Sequence, residues 1–281
     1  MTFGPLVSAN WLASHLDDDG LQIVDCRWFL GEPDRGPAEY AASHIQGAIY
    51  MDLDADLSAP AGAGRHPLPA PDEFMTTLGA KGISPETVVV AYDDRSGAVA
   101  SRLWWMLRDL GHKKVAVLDG GLAHWPTRLT DSAVVTPTPA EYRSQPGAMA
   151  QIDREWLAAA GNDSVLLDAR AGERYRGELE PVDPVAGHIP SALSAPLTDN
   201  LQPDGRFKPP ATLAAHYADL GASRAADVVA YCGSGVTACH NILAMEIAGL
   251  GAAKLYAGSW SDWSTAGMPV AKGPDPGKWP V

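Results

Sequence analysis

Tyr231-Cys232-Gly233-Ser234-Gly235-Val236-Thr237-Ala238 is the stretch on which the reading of this chain turns. The apolar run Asp227-Val228-Val229-Ala230-Tyr231 before it predicts a short buried strand, and Ala238-Cys239-His240-Asn241-Ile242-Leu243-Ala244-Met245 after it predicts a helix. A cysteine therefore sits at a strand-to-helix bend. Gly233 and Gly235 flank Ser234 and let the backbone pass through positive φ without a Cβ penalty, so the N–H groups of Gly233 to Ala238 can converge on one point. The start of the helix adds unpaired donors and the positive end of its dipole. Thiolate is the anion nearest that point, so Cys232 is expected to have a lowered pKa and to act as a nucleophile.

Working outward, the order of residues around this stretch occurs twice. Asp25-Cys26-Arg27 corresponds to Asp168-Ala169-Arg170, and His44-Ile45-Gln46-Gly47-Ala48 to His188-Ile189-Pro190-Ser191-Ala192. Val89-Val90-Ala91-Tyr92-Asp93 corresponds to Val228-Val229-Ala230-Tyr231-Cys232, and Asp119-Gly120-Gly121 with Trp125 to Ala257-Gly258-Ser259 with Trp263. So long a period is a duplication of whole domains, not a solenoid. Ser8 is placed to cap a helix through Leu16, with a strand over Leu21 to Asp25 after it; Asp153 to Ala160, then Val165 to Asp168, repeats that order. Short apolar strands alternating with helical patterns predict an α/β fold of two tandem domains, each a parallel sheet flanked by helices. Ligands of such sheets sit outside the carboxyl ends of the strands, where Cys232 falls.

The predicted domains are residues 1–129 and 148–281. The linker between them, 130–147, contains Pro137, Pro139 and Pro146 and little apolar periodicity. Asp93 holds in the first domain the position of Cys232 in the second, and an aspartate offers no thiolate. One catalytic centre per chain follows, with the first domain as a non-catalytic scaffold and one wall of a cleft.

At 281 residues there is chain enough for two domains with separate cores. A net charge of -13 argues against nucleic acid or an anionic membrane as partner. The three cysteines, Cys26, Cys232 and Cys239, show no repeated spacing, which is neither a disulfide framework nor a zinc site. Their scarcity suits a reducing compartment, and Met1-Thr2-Phe3-Gly4-Pro5-Leu6-Val7 has neither a basic nor an apolar leader segment; a cytoplasmic protein is expected. A phosphatase chemistry at Cys232 needs an arginine six residues on to clamp phosphoryl oxygens, and that residue is Ala238. An idle interaction module is disfavoured by the intact cysteine in its glycine-flanked loop.

The loop Cys232-Gly233-Ser234-Gly235-Val236-Thr237-Ala238, between a strand and a helix in the second half of a duplicated chain, resembles the active-site loop of the 3-mercaptopyruvate sulfurtransferases of the two-domain rhodanese family. The resemblance implies tandem rhodanese-like domains and sulfur transfer through a Cys232 persulfide, with no metal and no organic cofactor. It implies a small anionic sulfur donor, and as acceptor a small thiol, a thioredoxin-like protein or cyanide. The persulfide sulfur would be held by the N–H groups of Gly233, Gly235, Val236, Thr237 and Ala238 and of Ser234 between them. Rhodaneses that prefer thiosulfate carry basic side chains after the cysteine, where this chain has Gly233 and Ser234; 3-mercaptopyruvate is therefore the expected donor and thiosulfate the alternative.

By the same resemblance, Arg174 in Glu173-Arg174-Tyr175-Arg176-Gly177 matches the family's carboxylate-binding arginine. Ser234, His66 in Gly64-Arg65-His66-Pro67-Leu68-Pro69, and Asp54 match a serine, histidine and aspartate that handle the donor's thiol proton. The chain departs from the family at Glu180-Pro181-Val182-Asp183, where many members place a second arginine. Asp183 would repel a carboxylate there, so either Arg176 takes the role or the donor binds more weakly. Trp104 and Trp105 read as core, Cys26 and Cys239 as small buried hydrophobes, and His44 and His188 as paired structural residues; Trp260 and Trp263 are expected at the cleft mouth.

Overall fold

Five short apolar runs in each half become a five-stranded parallel sheet. The structure, a computed structural model, describes residues 4–131, 137–161 and 163–279. The first sheet contains β1 (Leu6–Val7), β2 (Leu21–Asp25), β3 (Ile49–Tyr50), β4 (Val88–Tyr92) and β5 (Val115–Leu118), in the order β1-β5-β4-β2-β3. The second contains β6 (Gln151–Ile152), β7 (Val165–Asp168), β8 (Leu193–Ser194), β9 (Val228–Tyr231) and β10 (Lys254–Tyr256), in the order β6-β10-β9-β7-β8. Strand for strand the two orders are the same, as the sequence repeat requires. β4 and β9 lie at the centres of their sheets and are buried on both faces, which is why they read as unbroken apolar runs.

The first sheet is accompanied by α1 (Ala9–Ala13), α2 (Arg35–Ala42), α3 (Pro71–Ala80) and α4 (Ala100–Asp109), the second by α5 (Arg154–Ala160), α6 (Gly172–Arg176), α7 (Pro210–Asp219), α8 (Ala238–Ile247) and α9 (Ser259–Thr265). Ser8 caps α1 through Trp11 N–H, but the helix stops short of the expected Leu16. The Trp11 carbonyl, which the N–H of His15 would need, is bonded by Ser14 Oγ at 2.8 Å and His15 Nδ1 at 2.7 Å. Trp104 and Trp105 on α4 are fully buried. Trp260 and Trp263 are likewise buried, not at a cleft mouth; their indole N–H groups donate to the carbonyls of Val185 and Pro269.

The chain divides into two compact units that each borrow a loop from the other half of the sequence. Unit 1 is Met1–Pro60, Leu68–Ala148 and Pro203–Arg206; unit 2 is Ala61–Pro67, Met149–Gln202 and Phe207–Val281. Of the stretch read as a linker, 132–136 lie outside the described residues, while Tyr142 is buried against His112 in unit 1 and Ala140 N–H donates to Gly79.

The repeated residues are structural in both units. Asp25 and Asp168 each accept a bidentate bond from the arginine two residues on, and those arginines, Arg27 and Arg170, also donate to Ser43 and Gly187 carbonyls. His44 stacks on Tyr40 and bonds its carbonyl at 2.8 Å; His188 does the same with Tyr175. Burial, and then the carboxylate of Asp25, push the Cys26 thiol well above its ordinary pKa, as suits an inert core residue. Among the described residues no helix is long and apolar enough to cross a membrane.

Candidate functional site

β9 ends at Tyr231, and Cys232 opens the bend that leads into α8. Three bonds tie the bend to the start of α9: Cys232 N–H donates to Ser259 Oγ at 3.1 Å, and the carbonyls of Cys232 and Gly233 accept from Trp260 and Ser261 N–H at 2.9 Å. Gly235 then turns the chain at φ 76°, and a Cβ there would collide with the Ala257 carbonyl oxygen. Only glycine serves at this position. The main-chain N–H groups of Gly233, Ser234, Val236, Thr237 and Ala238 find no acceptor among the described residues.

The equivalent bend of unit 1 shows what such N–H groups do with an anion. The carboxylate of Asp93, after β4, accepts from the N–H groups of Arg95, Gly97, Val99 and Ala100 at 2.8 to 2.9 Å. One bend therefore carries its own anion as a side chain. The other presents unmatched donors behind a cysteine that is 2% exposed. α8 begins one residue sooner after Cys232 than α4 does after Asp93, so the two rings are related but not identical.

The borrowed loop 61–67 brings the remaining groups. Gly64, at φ 79°, lies so close to Gly258 that a Cβ would strike its carbonyl oxygen, and Arg65 N–H donates to Ser261 Oγ at 3.0 Å. These contacts place the buried His66 with Nδ1 2.7 Å from Ser234 Oγ, two residues from Cys232. A hydroxyl bonded to an imidazole is a pair that can pass a proton.

Arg174 on α6 reaches the same loop: an ideal Cβ on Gly233 would lie 3.5 Å from Arg174 Nη1 and 3.2 Å from Arg65 Nη2. The two guanidiniums are joined by one carboxylate, with Asp183 Oδ1 2.6 Å from Arg65 and Oδ2 3.1 Å from Arg174. Arg174 also forks onto Glu180, which accepts from Val182 and Asp183 N–H. Burial alone would raise the Glu180 carboxyl; the bonds from Arg174 and these N–H groups outweigh it and hold the group below its ordinary pKa.

Cys232, Ser234, His66 and Arg174 are thus gathered in unit 2. Arg176 is turned away, forked onto the exposed Glu178. Asp54 belongs to unit 1, where its carboxylate accepts the Trp28 indole N–H at 2.7 Å. Arg65 belongs to no motif in the sequence; its one signal there is adjacency to His66. Among the described residues no group of His, Cys, Asp and Glu side chains is disposed to hold a metal ion.

The rhodanese-like domain profile matches residues 8–127 and again 153–266. The chain belongs to the rhodanese family. This rhodanese is 47% identical to a Pseudomonas aeruginosa protein named "Probable 3-mercaptopyruvate sulfurtransferase", across 97% of the chain and 100% of that relative. It is 39% identical to a Mycobacterium tuberculosis protein named "Putative thiosulfate sulfurtransferase SseB", across 95% of the chain and 97% of the relative. The crystal structure of SseA, a 3-mercaptopyruvate sulfotransferase from Escherichia coli, superposes with a TM-score of 0.80 at 34% identity, covering 92% of this chain and 99% of that one.

Proposed function

We propose that this rhodanese is a 3-mercaptopyruvate sulfurtransferase working through a Cys232 persulfide. The observation that carries the choice of donor is the 2.7 Å bond between Ser234 Oγ and His66 Nδ1 beside the nucleophile. 3-Mercaptopyruvate brings a thiol proton that has to move; thiosulfate has none. Cys232 thiolate attacks the donor sulfur, its bond to carbon breaks, and the electron pair goes to the pyruvate enolate. The proton lost from the donor thiol, relayed by Ser234 and His66, balances the one gained at carbon, so the products are pyruvate and the Cys232 persulfide. An acceptor thiolate or cyanide then takes the outer sulfur and Cys232 leaves as thiolate.

The unmatched N–H groups of Gly233, Ser234, Val236, Thr237 and Ala238 support the holding of that anionic sulfur, by analogy with the ring that Asp93 fills in unit 1. Arg174 supports binding of the donor carboxylate; Asp54 is named as the third relay residue by the family resemblance alone. Arg176, paired with Glu178, has no part in this reading. The domain of residues 148–281 carries the nucleophile; 1–129 is its copy without one and lends the loop that carries His66. Three cysteines, none joined in a disulfide among the described residues, support a reducing, cytoplasmic setting with thiol acceptors, a small thiol or a thioredoxin-like protein.

The thiosulfate reading uses the same persulfide with sulfite as leaving group and is favoured by the two guanidiniums beside Gly233. Steady-state turnover of both donors separates the two. Ser234→Ala and His66→Ala are expected to lower kcat/KM for 3-mercaptopyruvate by about a hundredfold while thiosulfate turnover changes by less than about threefold. Equal losses with both donors would remove the proton relay from the mechanism.

A further inference from the structure

The sequence places an aspartate where a second cation is expected, and the structure supplies that cation from elsewhere. Arg65 arrives on the borrowed loop and stands with Arg174 over the Cα of Gly233, their guanidinium nitrogens 3.2 and 3.5 Å from where a Cβ would be. Arg65 Nε is buried and has no hydrogen-bond partner among the described residues. Its Nη1 is bound to Asp183, whose other oxygen is bound to Arg174. Asp183 is 3% exposed at the side chain, so it does not face incoming solute as a free charge; it is a brace between two arginines.

We propose that Arg65, Asp183 and Arg174 form a donor-selecting cradle in which two guanidiniums grip the anion and Asp183 cancels one of their charges. This rests on the sulfurtransferase reading above. The chemistry follows from charge count. Asp183 offsets one of the two guanidinium charges, and Glu180, which also binds Arg174, offsets more, because the Arg170 that shares it is already forked onto Asp168. A 3-mercaptopyruvate monoanion meets the repulsion of these carboxylates with one charge. Thiosulfate, and the sulfite it leaves behind, are dianions and meet it with two. Interaction between charges a few Å apart in a partly buried site is strong enough to turn one unit of charge into a preference of about tenfold. Asp183 is then a specificity-determining residue.

The test measures kcat and KM for 3-mercaptopyruvate and thiosulfate, with cyanide as acceptor, in the wild type and two variants of opposite sign. Asp183→Asn keeps the shape and removes the negative charge; its kcat/KM ratio of thiosulfate to 3-mercaptopyruvate is expected to rise about tenfold, through KM more than kcat. Arg65→Gln keeps the loop's main-chain bond to Ser261 and removes a positive charge; the same ratio is expected to fall, again through KM. Arg65→Gln also serves should Asp183→Asn fail to fold. A ratio within twofold of wild type in the folded variants, or a shift of the same sign in both, overturns the cradle and leaves sulfur transfer standing. A wild type that takes sulfur from neither donor overturns both readings together.

Discussion

Asp93→Ala tests the reasoning that this bend collects N–H groups around an anion, because in unit 1 the anion is part of the chain. The substitution removes a carboxylate that is 1% exposed and accepts four main-chain N–H bonds. Bonds to a charged acceptor contribute roughly 1.5 kcal/mol net each, about 6 kcal/mol for the set. About half is offset, because the bonds are not additive and the buried charge no longer has to be desolvated. A loss of about 3 kcal/mol remains, which for a domain of this size lowers Tm by about 6 to 12 °C. Asp93→Asn is expected to fall between the two, since its amide keeps one accepting oxygen but turns an NH2 toward other donors. Differential scanning calorimetry of the three proteins reads the effect. A melting temperature for Asp93→Ala within 2 °C of wild type would refute the idea that these N–H groups need an anion, and with it the argument for the persulfide at Cys232.

Two further outcomes follow from the geometry of unit 2. Gly235→Ala puts a Cβ against the Ala257 carbonyl at a φ of 76° and is expected to lose about 3 kcal/mol in urea unfolding; Gly221→Ala, at φ 73° with nothing within 4 Å, should lose only about 1 kcal/mol, and equal losses would deny the close packing under the loop. Glu180 is held below its ordinary carboxyl pKa of 4.5, so its contribution to stability is complete above that value and is lost as the pH falls from there through the lowered folded value. The Tm of wild type is therefore expected to drop more steeply below about pH 4.5 than that of Glu180→Gln, in calorimetric scans across pH 3 to 6; parallel curves would contradict the assignment.

Much of this was legible in the sequence, for physical reasons that differ from residue to residue. β7 is a continuous apolar run ending in Asp168 and β9 is apolar throughout, and buried parallel strands announce themselves that way. Cys232 could be placed at a bend because Gly233 and Gly235 interrupt the pattern between an apolar strand and a helix, and Gly235 takes the positive φ expected there. The end of α1 could not be read, since Ser14 and His15 compete for a carbonyl only once the helix exists. Arg65 was hidden for another reason. The loop that carries it is rich in glycine and alanine and has no periodicity, and its place in unit 2 is set by contacts with Gly258 and Ser261, nearly two hundred residues away. Asp183 showed its charge but not its partners, and so read as a repulsion where the structure has a brace. Arg176 showed a charge near the motif, while its neighbour Glu178 holds it at the surface.

The most direct measurement is the intact mass of the protein after brief incubation with 3-mercaptopyruvate and no acceptor, followed by peptide mapping under non-reducing conditions. The account predicts one added sulfur, about 32 Da, located on Cys232, removed by cyanide and absent from Cys232→Ser. No adduct with 3-mercaptopyruvate or thiosulfate, or an adduct carried by Cys26 or Cys239 instead, would contradict it.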